Sequence, residues 1–199
     1  MIISIRSLGA CLVLLTAASC ASTERETATS SRGPRTEYTP PKGRGERVGG
    51  ATVLNTVRTT HVFSDPKNPD TFVLELRGPR VLSSRLHLSV LSSKGDTLHR
   101  EVLPTSVLLT DPTLKDNLSA SVREREISVL RGMNTFFGNS HFVQPAVPAV
   151  ATPPAGLDAQ AWASLRRDPA AVGFHYPGSK GEARLVYARQ LGRVVVLAE

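Results

Sequence analysis

Cysteine is nearly missing from this sequence of 199 residues. The chain has two cysteines, Cys11 and Cys20, and neither lies in the part from residue 51 onward. That part therefore has no disulfide bond within it and no cysteine-ligated zinc or iron–sulfur site. Its roughly 150 residues must be held by a hydrophobic core, and a chain of that size buries about two-thirds of its unfolded surface, which is enough for one domain.

Long hydrophobic runs are also scarce. The apolar run at residues 8–15 is about half of the roughly 20 residues that a transmembrane helix needs. One positive charge, Arg6, precedes this run, and the small residues Ala17 and Ser19 follow it. This three-part pattern is typical of a secretory signal peptide. It predicts that residues 1–19 are removed and that the mature protein begins at Cys20, after cleavage between Ser19 and Cys20.

The segment Leu15–Cys20 resembles the lipobox of bacterial lipoproteins, in which small residues lead into a cysteine. The resemblance implies a diacylglycerol thioether on Cys20 and acylation, for example with palmitate, of its new amino group. Ala17 departs from the commonest pattern, which has leucine there. The alternative is plain secretion with a free Cys20. A lone exported thiol is a chemical liability, whereas a lipidated one is inert, so the lipid is favoured.

The residues after Cys20 bear on the membrane to which such a protein is sorted. Ala21 and Ser22 lack the aspartate that is associated with inner-membrane retention in lipoproteins. The resemblance therefore implies the outer membrane of a Gram-negative cell envelope, with the domain in the periplasm or at the cell surface. The region beyond the lipobox is similar in general character to uncharacterised lipoproteins of Gram-negative envelopes.

Positive charge exceeds negative charge along the chain. There are 24 Lys and Arg against 17 Asp and Glu, so the net charge is +7. Removal of Arg6 with the signal peptide leaves 23 − 17 = +6. Such a balance attracts anionic lipid head groups or polyanions. The basic residues are scattered and not interleaved with aromatics, so the sequence does not predict a nucleic-acid partner.

The chain beyond the signal peptide divides into a linker and a domain. Residues 20–50 are rich in Ser, Thr, Gly and Pro and show no apolar periodicity, which predicts a flexible tether that spans on the order of 30 Å. Residues 51–199 are expected to form a single α+β domain. Its architecture is predicted to be an antiparallel sheet with one longer and one short helix packed on it.

Local patterns place the elements of this domain. Strands are expected at residues 53–63, 71–77, 86–90, 98–102, 182–189 and 193–198. Ser121 and Glu124 form a capping box that opens a helix, and Asp158 caps a shorter one. The first helix should bury an apolar face made of Val122, Ile127, Leu130, Met133 and Phe137. The run Val194–Leu197 is apolar on both faces and predicts a central or covered strand.

The register of the hairpin at residues 86–102 can be argued from its pairs. A three-residue loop at residues 93–95, with Gly95 in a left-handed conformation, would pair Val90 with Leu98 and Leu86 with Val102. The alternative register pairs Leu88 with Glu101 and Val90 with His99. Because that alternative places charge on the apolar face, we predict the first register.

The predicted register brings polar side chains together on the other face of the hairpin. It pairs His87 with Glu101 and Ser89 with His99, which makes Ser89 a candidate nucleophile, His99 its base, and His87 and Glu101 their partners. The alternative is that these residues are polar because they lie on the solvent-exposed face of the hairpin and have no catalytic role. A flat sheet also supplies no pocket for a substrate. The two histidines and the glutamate are also candidate metal ligands. We predict neither catalysis nor a metal here, and no cofactor.

Aromatic residues form 5% of the chain and concentrate near its end. Trp162, Phe174, His175 and Tyr176 are a candidate binding patch, since aromatic side chains mark interaction hot spots. Packing in the core is the alternative reading of the same residues.

Recognisable reaction centres are absent from the sequence. The Gly-Lys phosphate loop, the Gly-x-Ser-x-Gly elbow and the His-Glu-x-x-His zinc motif are missing. The sequence therefore favours a non-catalytic, membrane-tethered binding or structural module that binds an envelope protein or glycan. An envelope hydrolase with an unrecognised site and a carrier of small apolar ligands are the alternatives. A deep polar pocket with perturbed His or carboxylate groups would favour the hydrolase, and a large apolar cavity would favour the carrier. An exposed apolar patch or an open sheet edge would favour the binding module.

Overall fold

A computed structural model describes residues 48–115, 120–149 and 151–198. The predicted signal peptide, its cleavage site, the lipidation site Cys20 and nearly all of the predicted linker lie outside the described residues. Within the described residues the chain forms eight strands and three α-helices, of which the first, α1, is a single turn at Pro112–Lys115. The predicted α+β class is confirmed, with the strands divided between two antiparallel sheets of four strands each. No helix in these ranges has the length and apolar character needed to cross a bilayer.

The first sheet, here called sheet A, is built from consecutive strands. These are β1 (Val53–His61), β2 (Asp70–Arg77), β3 (Arg85–Leu91) and β4 (Thr97–Pro104), and they lie in that order. Alternation decides which side chains face inward, because successive side chains of a strand point to opposite faces. On β2, Phe72, Leu74 and Leu76 are fully buried on the inner face. The alternation of these three residues with Thr71, Glu75 and Arg77 in the sequence predicts the same face.

The second sheet, sheet B, contains β5 (Phe142–Val143), β6 (Gly173–Gly178), β7 (Gly181–Ala188) and β8 (Arg193–Ala198), again in that order. Of the two positions predicted for the apolar run of β8, a central strand is wrong, because β8 forms the edge of the sheet. A strand covered on both faces is what the structure contains. Val194 packs on the core between the sheets, while Val195 and Leu197 pack on the opposite side.

The main core lies between the inner faces of the two sheets. An aromatic cluster joins them: the ring centroid of Phe72 in β2 is 5.3 Å from that of Phe174 in β6 and 5.1 Å from that of Phe142 in β5. The other side of sheet B is covered by α3 (Ala159–Arg167), which contributes Trp162 and Leu165 to a second apolar cluster with strands β7 and β8. The described residues thus form three layers, with sheet B in the middle.

The longer helix, α2 (Val122–Thr135), packs against the main core. Its predicted capping box is present, because Ser121 Oγ accepts a hydrogen bond from the Glu124 amide and the Glu124 carboxylate accepts one from the Ser121 amide. The predicted apolar face is partly wrong. Met133 and Phe137 are buried as predicted, whereas Val122 and Ile127 are 62% and 37% exposed. The helix also buries Val129, which the prediction did not include. Asp158 caps α3 as predicted, by accepting from the Ala161 amide.

The hairpin of β3 and β4 has the predicted loop but not the predicted register. Ser92 pairs with Asp96 around a loop of residues 93–95, and Gly95 has a positive φ of 91°. A bulge follows, since Leu91 pairs with Thr97 whereas Val90 pairs with His99. The extra residue shifts the rest of β4 by one position and turns it over. Val90 faces His99 and Leu88 faces Glu101, so the predicted pairs are wrong.

Candidate functional site

The bulge separates the four residues that the sequence placed on one face. His87 and Ser89 pair with Val102 and Arg100 on the outer face of sheet A. His99 and Glu101 pair with buried Val90 and Leu88, and so belong to the inner face. The predicted pairs of Ser89 with His99 and of His87 with Glu101 do not form. The hypothesis that Ser89 is a nucleophile activated by His99 is therefore contradicted by the backbone register.

The hypothetical metal site at the same residues is not assembled either. Its two histidines, His87 and His99, lie on opposite faces of sheet A, as the register requires. Among the described residues, no group of three or more His, Cys, Asp or Glu side chains is arranged to hold a metal ion.

Glu101, which the observed register places on the inner face of sheet A, has a partner from the other sheet. Tyr176 in β6 donates a hydrogen bond to Glu101 Oε2 over 2.5 Å, and His99 Nε2 lies 3.5 Å from the same oxygen. The nearby His99 imidazole is the main cause of a lowered pKa for Glu101, and the hydrogen bond from Tyr176 adds to it against the opposing effect of burial. Burial, followed by the bond to Glu101, raises the pKa of Tyr176 well above its usual range. A neutral phenol therefore donates to an ionised carboxylate.

This contact, called here the Tyr176–Glu101 latch, joins sheet A to sheet B. A carboxylate on an apolar face is costly unless its oxygens are hydrogen-bonded, and the tyrosine supplies that bond. The latch explains how β4 tolerates the register with Glu101 inward. It connects β4, an edge strand of sheet A, with β6, an interior strand of sheet B.

A cleft of about 430 Å³ lies beside the latch, between α2, the residues that follow β4 and the β6–β7 hairpin. A volume of this size falls in the range of small-ligand sites in proteins. Apolar and polar side chains alternate around it. The lining residues are Val107, Leu108, Thr110, Ser128, Arg131, Gly132, Thr135, Phe136, His141, His175, Tyr176, Pro177 and Glu182.

Two histidines and a carboxylate are ionisable groups that line the cleft. His141 Nδ1 lies 2.8 Å from the carbonyl oxygen of Phe136, and because a carbonyl only accepts, Nδ1 donates this hydrogen bond. His175 Nε2 lies 3.3 Å from Glu182 Oε2, and the rings of His141 and His175 are 6.5 Å apart and nearly perpendicular. The His175 and Glu182 side chains are 33% and 54% exposed, so a ligand in the cleft can reach both.

The approach of α2 to the segment after β4 depends on a glycine. A Cβ atom added at Gly132 would lie 3.0 Å from Leu108 Cβ. The absence of a side chain at Gly132 therefore sets how closely the two walls of the cleft approach. The nearby Thr135 directs its hydroxyl to the carbonyl oxygens of Arg131 and Gly132 in its own helix.

The candidate aromatic patch does not form one surface. Phe174 and Tyr176 are buried in the main core, and their rings stack with centroids 5.5 Å apart. Trp162 is buried in the second cluster, on the other side of sheet B. His175 is the one residue of the four that is not buried, and it joins Tyr176 in lining the cleft.

Sequence reasoning did not find His141, Arg131 or Glu182. These residues come from three separate elements: a 3-10 turn at Asn139–His141, helix α2 and strand β7. No spacing rule connects them. The one available signal was the register of the β6–β7 hairpin. The tight turn at residues 179–180 sets this register, which pairs Pro177 of β6 with Glu182 of β7.

Comparison with known proteins adds no identification. No family model, no curated protein and no solved structure matches this chain. The argument for its function therefore depends on the residues of the chain and on their arrangement.

Proposed function

We propose that this protein is a non-catalytic, membrane-tethered binding module of the bacterial cell envelope, and that its ligand occupies the cleft beside α2. The observation that carries this proposal is the cleft of about 430 Å³ with His141, His175 and Glu182 among its lining residues. Its walls offer cationic, anionic and hydroxyl groups over a partly apolar floor. Such a mixture suits a short polar segment of an envelope protein or glycan.

The arrangement of hydroxyl groups supports binding rather than hydrolysis. A serine or threonine nucleophile needs a base within hydrogen-bonding distance of its hydroxyl. Ser89 lies on the outer face of sheet A, away from His99. Thr135, in the wall of the cleft, donates its hydroxyl to backbone carbonyl oxygens instead of to a histidine.

The lining also argues against a carrier of small apolar ligands. Such a carrier needs a dry cavity walled by apolar side chains. Arg131 and Glu182 are exposed and line this cleft together with four hydroxyl-bearing side chains. An apolar ligand would have to remove water from these groups without replacing their hydrogen bonds.

The tether is proposed from the N-terminal sequence. The lipobox-like segment that ends at Cys20 supports a lipid anchor, and two or more acyl chains hold a protein durably on a membrane. Mass spectrometry of the N-terminus of the protein purified from cells tests this part separately. A diacylglycerol adduct on Cys20 is the expected result, and an unmodified Cys20 would make the protein a secreted one.

Site-specific cross-linking in the living envelope tests the cleft. A photoreactive amino acid at Thr135 should give a discrete cross-linked product, because this exposed residue lines the cleft. The same amino acid at exposed Arg167 in α3, on the opposite side of sheet B, is the matched control and should not give that product.

A second variant distinguishes a bound ligand from a chance neighbour. Introduction of His175→Ala alongside the photoreactive group at Thr135 should reduce the product, while the melting temperature of the protein stays within a few degrees of the parent value. Equal products at both positions, or a product that does not respond to His175→Ala, would contradict the proposal that the cleft binds the ligand.

A further inference from the structure

The outer face of sheet A concentrates arginine side chains at a distance from the cleft. Each strand places one arginine there, and these four residues define what we call the basic face: Arg58, Arg77, Arg85 and Arg100. Their alternation with buried inner-face residues such as Leu74 and Leu88 fixes their orientation. Glu75 is the one acidic side chain among the outward positions of these four strands.

Most of this positive charge is not neutralised within the described part of the chain. Glu75 is engaged by Arg77, whose guanidinium nitrogens Nη2 and Nε lie 2.5 Å and 3.0 Å from its carboxylate oxygen. Arg58, Arg85 and Arg100 are exposed, and in the described ranges none of these three forms an ion pair. Three exposed guanidinium groups therefore face solvent.

The pKa of a histidine on the same face reflects the resulting potential. His87 lies between the strands that carry Arg77 and Arg100. Burial lowers its pKa most, and the charges of Arg77 and Arg100 lower it further, while Glu75 acts in the opposite direction. The basic face thus disfavours an additional positive charge, as a surface suited to anions should.

The spacing of the arginines indicates the shape of the partner. Arg58 and Arg100 occupy the same row across sheet A, on its two edge strands. Three strand spacings separate them, which is about 14 Å. Arg85 lies four residues along β3 from that row, or about 13 Å at the rise of a strand. Cations spread over such an area match many anionic groups at once, not one small ion.

We propose that the basic face docks on an anionic phospholipid surface, where its arginines contact lipid phosphate groups. The guanidinium group binds phosphate through paired hydrogen bonds. The cations are distributed in two dimensions over a sheet, which fits a planar surface better than a linear chain. No Phe, Trp or Tyr occupies an outward position on β1 to β4, so the face lacks the stacking platform that single-stranded nucleic acids use. This inference does not depend on the function proposed for the cleft.

Vesicle partitioning tests the proposal with the full chain carrying Cys20→Ser, which removes the site of lipid attachment. The measured quantity is the ratio of partition coefficients between vesicles that contain phosphatidylglycerol and vesicles of phosphatidylcholine alone. The apolar N-terminal segment contributes to both coefficients and cancels in this ratio. Each arginine near an anionic surface contributes about a fivefold effect, so Arg58→Gln with Arg85→Gln and Arg100→Gln should lower the ratio on the order of a hundredfold.

A matched variant removes the same charge elsewhere. Arg166→Gln with Arg167→Gln and Arg193→Gln changes three exposed arginines on the side of sheet B that α3 covers. This variant should keep most of the preference for anionic vesicles. The three lysine substitutions at residues 58, 85 and 100 should also keep it, because the attraction is to charge. Thermal melting of all variants shows whether each is folded.

Three outcomes would overturn the proposal. In the first, the parent chain shows no preference for anionic vesicles. In the second, the matched variant loses as much preference as the basic-face variant, which would mean that only the net charge of the protein matters. In the third outcome, the basic face binds a linear polyphosphate more tightly than vesicles at equal phosphate concentration. That result would assign the face to a chain-like polyanion.

Discussion

Sheet A and sheet B are both antiparallel and four-stranded, yet within the described residues an α-helix covers only sheet B on the side away from their shared core. The side chains of the strands differ accordingly between the two sheets. On β2 and β3 of sheet A, apolar inner residues alternate with outer residues that are polar or charged except for Val73 and Leu91. On β7 and β8 of sheet B, both faces are apolar because α3 packs on the second one. Continuous apolar strands therefore mark the middle layer of the molecule.

The largest effect is expected at the core that the two sheets share. Phe72→Ala removes a ring that is fully buried and contacts Phe63, Phe137, Phe142 and Phe174. We expect a loss of about 4 kcal/mol of unfolding free energy, as is usual for truncation of a buried Phe. Urea denaturation measures it. Val102→Thr on the outer face of sheet A is the control, since this side chain is 48% exposed and should change the stability by less than about 0.5 kcal/mol.

The covered face of sheet B should respond next. Leu165→Ala in α3 removes a buried side chain from the second cluster, and we expect it to cost about 2.5 kcal/mol. Hydrogen exchange should show the loss in α3 and β8 more than in β1. Equal loss of protection throughout both sheets would mean that the second cluster is not a separate layer.

The latch between the sheets should contribute less. Tyr176→Phe removes a hydrogen bond to a charged acceptor and keeps the ring, so we expect a loss of about 1.5 kcal/mol at neutral pH. The control is Tyr187→Phe, a tyrosine that packs at the margin of the same core. A similar loss of unfolding free energy in both variants would show that the Tyr176 hydroxyl contributes no more to stability than the Tyr187 hydroxyl.

The latch also predicts a pH dependence. The pKa of Glu101 is lowered in the folded state, so this group binds fewer protons when folded than when unfolded. Its contribution is therefore complete above the unfolded pKa of about 4.3 and is lost as the pH falls through the lower folded value. Glu101→Gln should make the stability less dependent on pH in that acidic window. Urea unfolding of both proteins across the window measures the difference, and parallel curves would contradict it.

The smallest effect is expected at the start of α2. Ser121→Ala removes the acceptor for the Glu124 amide and should cost about 1 kcal/mol. Ser121→Asp, which can still cap the helix, should restore most of the loss. Thermal unfolding of the three proteins decides whether the cap stabilises the domain.

Features with local causes were predictable from the sequence. The capping residues Ser121 and Asp158 and the loop before Asp96 follow from short-range chemistry, and the structure contains all three. The face of α2 was predicted less well. Periodicity correctly included Met133, but it also included the exposed Val122 and Ile127 and left out the buried Val129. A helix pattern alone does not say which of two neighbouring stripes the sheets will cover.

Features with distant causes were not predictable. The sequence disfavours the observed register of β4 because that register turns Glu101 inward. The hydrogen-bond donor to this carboxylate, Tyr176, lies 75 positions further along the chain. The cleft is similar, since its histidines belong to a turn after α2 and to β6. Sequence spacing cannot bring such residues together until the packing of the two sheets is known.

The latch has a consequence for the order of folding. Its two ends belong to different sheets, so the bond can form only after both hairpins have been built and have met. We expect it to be absent from the transition state, and its loss should then speed unfolding without slowing refolding. A single hydroxyl group would in this way govern how long the assembled sheets stay together.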